Sequence, residues 1–96
     1  MRSPDEAVDH LDEFTIVEGR VLAVARTGRR TYLNFGADYR TDFTVAVAAR
    51  DRGMFDDAGI DLAAYEGHII RVRGWVDSLN GAMIEATHPE QIELVQ

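Results

Sequence analysis

Apolar and polar residues alternate with a period of two along most of the chain, which predicts strands that bury one face. Residues 15–25 (TIVEGRVLAVA) are rich in β-branched types and set Val17, Val21 and Ala23 against Glu18 and Arg20. Gly19 interrupts that run and predicts a bulge, a local bend that lets one long strand serve two sheets. After a turn at RTGRR (26–30), residues 31–36 (TYLNFG) point Leu33 and Phe35 inward and Tyr32 and Asn34 outward. Residues 42–48 (DFTVAVA) repeat the pattern, with Phe43, Val45 and Val47 opposed by Thr44 and Ala46.

The alternation lapses from 50 to 66. There Met54, Phe55, Ile60, Leu62 and Tyr65 follow no two-residue period, and Gly59 and Gly67 fall where short helices could stop, so one or two helical turns are expected. Strand character returns at 68–77 (HIIRVRGWVD), with Ile70, Val72 and Val76 alternating against Arg71, Arg73 and Trp75. Asn80-Gly81 is a strong hairpin signal, and 82–88 (AMIEATH) reads as its second strand. Pro89 then breaks the ladder, leaving 91–95 to lie against an edge. At the start, Pro4-Asp5 and the spacing of Ala7, Val8, Leu11 and Phe14 predict a short helix or a flexible arm over 1–14. The order β-β-β-α-β-β over 15–96 is that of a five-strand OB-type barrel, an all-β fold with a short helix. Its expected core is Val21, Leu33, Phe35, Phe43, Val45, Val47, Ile70, Val72 and Ile84.

Composition narrows the chemistry. With 96 residues and 46% apolar content the chain has room for one modest core. It has no cysteine, which excludes disulfides, thiolate metal sites and cysteine nucleophiles. No apolar run approaches the ~20 residues of a membrane span. The opening MRSPDEAVDHLDEF lacks the apolar stretch of a signal peptide, so a soluble chain of open compartment is expected.

The net charge of −7 is uneven. Residues 1–14 hold one arginine against five acids, 81–96 hold three glutamates and no base, and 15–80 balance nine arginines with nine acids. All ten basic residues are arginine. Codon usage of a GC-rich genome explains that simply; the sharper reading is selection for planar, bidentate anion contacts.

Catalytic and metal signatures are missing. His10, His68 and His88 have no mutual spacing of a zinc site, and Ser3 and Ser78 lie in no nucleophile motif. Asp56, Asp57 and Asp61 lack the alternating pattern of a calcium loop and read as a solvated face. What stands out is Tyr32, Asn34, Tyr39, Arg40 and Thr44 on the second and third predicted strands, beside Arg26, Arg29 and Arg30 in the adjoining turn. Aromatic stacking and arginine contacts on that face are how OB barrels hold oligonucleotides.

The segments YLNFG (32–36), TDFTV (41–45), RVRGWV (71–76) and MIEATHPEQIE (83–93) give residues 17–94 a resemblance to the OB-type domain of bacterial thermonuclease-like (micrococcal-nuclease-like) proteins. That resemblance implies the barrel and a nucleic-acid context. True thermonucleases carry D-G-D-T and V-D-T-P-E segments that supply metal-binding carboxylates and a glutamate base. Neither occurs here, and no catalytic residue is carried over. RVRGWV also resembles a strand of the anticodon-binding barrels of aspartyl-type aminoacyl-tRNA synthetases.

The expectation is therefore a non-enzymatic accessory module without cofactor or metal. It would bind single-stranded DNA or RNA, or position a linked domain on it. A protein-interaction or structural module is the alternative, favoured by the acidic ends; oligomeric state is open, and no membrane partner is expected.

Overall fold

The first predicted strand forms as two segments that belong to different ladders. The computed structural model describes residues 1–37, 42–78 and 81–96. Its elements are α1 (Pro4–Ala7), β1 (Phe14–Arg20), β2 (Ala23–Arg26), β3 (Arg30–Asn34), β4 (Thr44–Ala48), α2 (Arg52–Asp57), β5 (Ile69–Asp77), β6 (Met83–Glu85) and β7 (Ile92–Leu94), with 3₁₀ turns at Ala49–Asp51, Leu62–Tyr65 and Pro89–Gln91. Hydrogen bonding runs β1-β5-β6-β4-β3-β2, with β7 on β5. All pairings are antiparallel except β4 with β6. The two ends of this path, β1 and β2, are joined only by Val21 and Leu22, so the sheet curls back on itself. Five predicted runs thus appear as seven segments, because the first divides and 92–94 pairs with β5.

The bend lies at Val21 and Leu22, whose amides donate to the carbonyls of His68 and Asn34 at 2.9 and 2.8 Å. Side-chain direction changes phase there. Val17 and Val21 are fully buried, yet in β2 it is Val24 that faces the core, opposite Leu33, while Ala23 and Ala25 oppose Asn34 and Tyr32. Leu22, the intervening residue, is 57% exposed. Ala23 therefore faces outward, contrary to the sequence expectation, and the bulge expected at Gly19 falls later. The β1–β5 ladder passes through Gly19, opposite Ile70, without interruption. Gly19 answers a different need: a Cβ there would overlap the ring of Pro4.

Pro4 reaches that position because residues 1–13 lie along the barrel. The Arg2 amide donates to the Ile16 carbonyl at 2.7 Å, and the Glu18 amide to the Arg2 carbonyl at 2.9 Å. Ser3 caps α1: its hydroxyl accepts from the Glu6 amide at 3.3 Å, and the Glu6 carboxylate accepts from the Ser3 amide at 3.0 Å. Those bonds from Ser3 hold the Glu6 carboxyl below its ordinary range. Ala7, on this helix of four residues, is fully buried in the core cluster.

Leu33, Phe43, Val45, Val47, Ile70, Val72, Val76 and Ile84 fill the interior, and burying each such side chain stabilises the fold by roughly 1.5–3 kcal/mol. Phe35 is half-buried instead, its ring tilted against Phe43 at 5.2 Å. Phe55 from α2 and Leu62 from the following turn are buried in the same cluster, which explains the aperiodic apolar residues of 50–66. No helix among the described residues is long and apolar enough to cross a membrane.

Candidate nucleic-acid interface

The β2–β3 turn is tightly held. The Thr27 hydroxyl accepts from the amides of Arg29 and Arg30 at 3.2 and 3.0 Å, and the Thr27 amide donates to the Arg30 carbonyl at 2.8 Å. From α2, Arg52 donates through Nη2 to the Thr27 carbonyl at 2.6 Å and through Nε to the buried Thr31 hydroxyl at 3.1 Å. With its backbone groups tied inward, the turn leaves Arg26 and Arg29 exposed, and neither has an ion-pair partner among the described residues. Arg52 was not singled out from sequence: its role depends on contact with a segment twenty-one residues earlier.

Arg30 differs from its neighbours. Its guanidinium lies 3.9 Å from Glu85 on β6, which also pairs with Arg50 at 3.3 Å. The outward row at this level runs Ala25, Tyr32, Ala46, Glu85 across four strands. Tyr32 is thus flanked by two alanines, whose small side chains leave its ring half-exposed. The next row runs Ala23, Asn34, Thr44, Met83. Thr44, expected to point outward, is only 5% exposed, and its hydroxyl donates to Asn34 Oδ1 at 3.3 Å. It supports Asn34 from within. β4 is buried along its whole length because it is central and its outward positions carry small residues. Tyr39 and Arg40 lie outside the described residues.

A shallow depression beside the turn is mixed in charge, lined by Arg26 and Arg52 but also by Asp56 and Asp61. On the outer surface of β5 the arginines are neutralised, whereas Arg20 at the end of β1 donates to the Gly67 carbonyl. Arg71 donates to Glu18 at 2.8 Å and to Glu93 at 3.2 Å, and the bond to Glu18 holds its guanidinium above its ordinary range. Arg73 lies 3.8 Å from Glu93 and donates to the Glu90 carbonyl at 3.2 Å. Among the described residues, Arg26 and Arg29 of the turn are exposed arginines with neither an ion pair nor a side-chain hydrogen bond. Among the described residues, no three His, Cys, Asp or Glu side chains are grouped to hold a metal ion.

Three solved structures superpose on almost the whole chain. They are an OBody bound to hen egg-white lysozyme (TM-score 0.68, 15% identity, 100% of this chain and 93% of that one), an asparaginyl-tRNA synthetase from Pyrococcus horikoshii (0.64, 20%, 98% and 22%) and an aspartyl-tRNA synthetase from Entamoeba histolytica (0.65, 15%, 97% and 20%). The chain has an OB-type fold. It spans about a fifth of the length of those synthetases, and at these identities the likeness is one of fold alone. No protein-family model matches the sequence, and no curated protein does.

Proposed function

We propose that the chain is a non-catalytic OB module that binds single-stranded DNA or RNA through the β2–β3 turn and the outer surface of β3, positioning a linked domain on the strand. One observation carries this reading: Arg26 and Arg29 project, without acidic partners among the described residues, from a turn whose backbone is pinned by Thr27 and Arg52, next to a half-exposed Tyr32 bordered by alanines. A phosphate needs an available guanidinium, and a base needs an aromatic face with no bulky neighbour. The synthetase neighbours, which act on tRNA, favour the same class of ligand. So does the resemblance to the OB domains of thermonuclease-like proteins, while the missing acidic motifs favour an accessory role. Arg26, Arg29, Tyr32 and Asn34 are the contact residues in this proposal, with Thr44 behind Asn34 and Arg30 partly engaged by Glu85.

The test is a titration with a short oligothymidylate across a range of salt. Affinity should fall on a log-log plot with a slope of ~0.7 per neutralised phosphate. Arg29→Ala should flatten the slope by about one contact, and Tyr32→Ala should cost about 1–3 kcal/mol at unchanged slope. Glu85→Gln, which releases Arg30 and Arg50, should tighten binding. Absence of binding to single-stranded DNA and RNA at low salt overturns the proposal.

A further inference from the structure

The most exposed aromatic side chains among the described residues lie together, away from the basic turn. Phe14 and Trp75 are direct cross-strand partners on β1 and β5, 60% and 64% exposed. Their rings meet edge to face at 6.3 Å and 80°. Below them the same outward rows are Ile16 with Arg73 and Glu18 with Arg71, so charge replaces aromaticity within one pair. Arg73 is drawn towards β7 by Glu90 and Glu93. Among the described residues, both rings thus keep more than half of their surface open to solvent.

Acids border the pair. The Asp12 amide donates to the Val76 carbonyl at 2.7 Å, and the Val76 amide donates to the Glu13 carbonyl at 3.0 Å. This places Asp12 and Glu13 alongside Val76 and the exposed Asp77. Asp12 holds a left-handed backbone (φ 62°) at the entry to β1. Leu11, 40% exposed, precedes it.

We infer that Phe14 and Trp75 form the centre of a docking surface for a protein segment that carries arginine or lysine beside an apolar residue. Exposed aromatic patches with polar rims mark interaction sites, and tryptophan is the residue type most often found at their energetic centre. A cation over the Trp75 face gains from the ring quadrupole, and Asp12 and Asp77 supply opposing charge, while the Glu13 carboxylate is engaged by His10 Nδ1 at 3.0 Å. A phosphate backbone would be repelled by the same carboxylates. A second copy would set this acidic rim against itself, in a chain of net charge −7. The inference uses a different face from the proposed nucleic-acid site and stands or falls separately.

Trp75 is the one tryptophan in the chain, so its emission reports on this surface directly. The probe is a short peptide of arginines around a central leucine, with a glutamate-for-arginine counterpart as control. At low salt the basic peptide should change the emission saturably and the acidic one should not. Phe14→Ala should weaken binding about tenfold while keeping the reporter. The pair Asp12→Asn and Asp77→Asn should weaken it to a similar extent; asparagine suits the left-handed backbone at 12, so the fold is kept. Arg29→Ala should leave it unchanged. The inference is overturned by no saturable change, by equal binding of the acidic peptide, by an oligonucleotide that competes at Trp75, or by a dimer that Trp75→Ser dissociates.

Discussion

The carboxamide nitrogen of Gln91 donates to the main-chain carbonyl of Arg73 at 3.0 Å. Its oxygen accepts from the amides of Thr87 and His88 at 2.8 and 3.1 Å, so one half-buried side chain joins β5 to the turn after β6. Gln91→Leu leaves those amides and that carbonyl without a partner, and denaturant unfolding should show a loss of about 1–3 kcal/mol. Gln91→Glu keeps the acceptor but aims a second oxygen at the carbonyls of Arg73 and Glu85. The substituted carboxyl's acidity should therefore be weakened in the folded state, and the stability deficit at neutral pH should shrink as pH falls. A deficit independent of pH would contradict this account of the orientation.

Gly19 and Pro4 make a second test. Adding a methyl at Gly19 drives it into the Pro4 ring, so Gly19→Ala should destabilise by about 1–3 kcal/mol and lift α1 from β1. Amide exchange at Glu18, which donates to Arg2, should quicken. Adding Pro4→Ala should recover part of the loss; a strictly additive double variant would place the strain elsewhere.

The Ser3 bonds to Glu6 set a pH dependence. Because they lower the carboxyl's pKa in the folded state, their contribution is present above the ordinary glutamate range and is lost as pH falls through the folded value. Comparing the native chain with Glu6→Gln by urea unfolding should show an advantage at neutral pH that disappears in acid. A constant difference would mean that the cap acts through shape and not charge.

Much of the fold was legible in short-range alternation. The patterns TYLN and TVAVA put Leu33, Val45 and Val47 inside, as observed. Phe35 was over-read, since the second-strand ladder ends at Asn34 and its ring sits at the core's margin. Ala23 was misplaced because no propensity announces a phase change at Leu22. The candidate surface was half legible. Arg26, Arg29 and Tyr32 follow from local pattern, but Glu85, which sequence position groups with the acidic end, reaches the middle of that surface through the parallel β4–β6 pairing. Phe14 was counted with a helical spacing, and only its pairing with Trp75, sixty-one positions on, shows the two rings as one patch.

The phase change at Leu22 also bears on what kind of variation this architecture can absorb. β1 and β2 each need their apolar residues on the inner side, and the two-residue repeat of a strand admits only one answer for each ladder. What reconciles them is the count of residues between Val21 and Val24, not their identity. Leu22 itself makes no contribution to the buried core. A chain one residue shorter at this junction would have to turn one ladder inside out to satisfy the other, so the length of the corner is a stricter requirement than its chemistry.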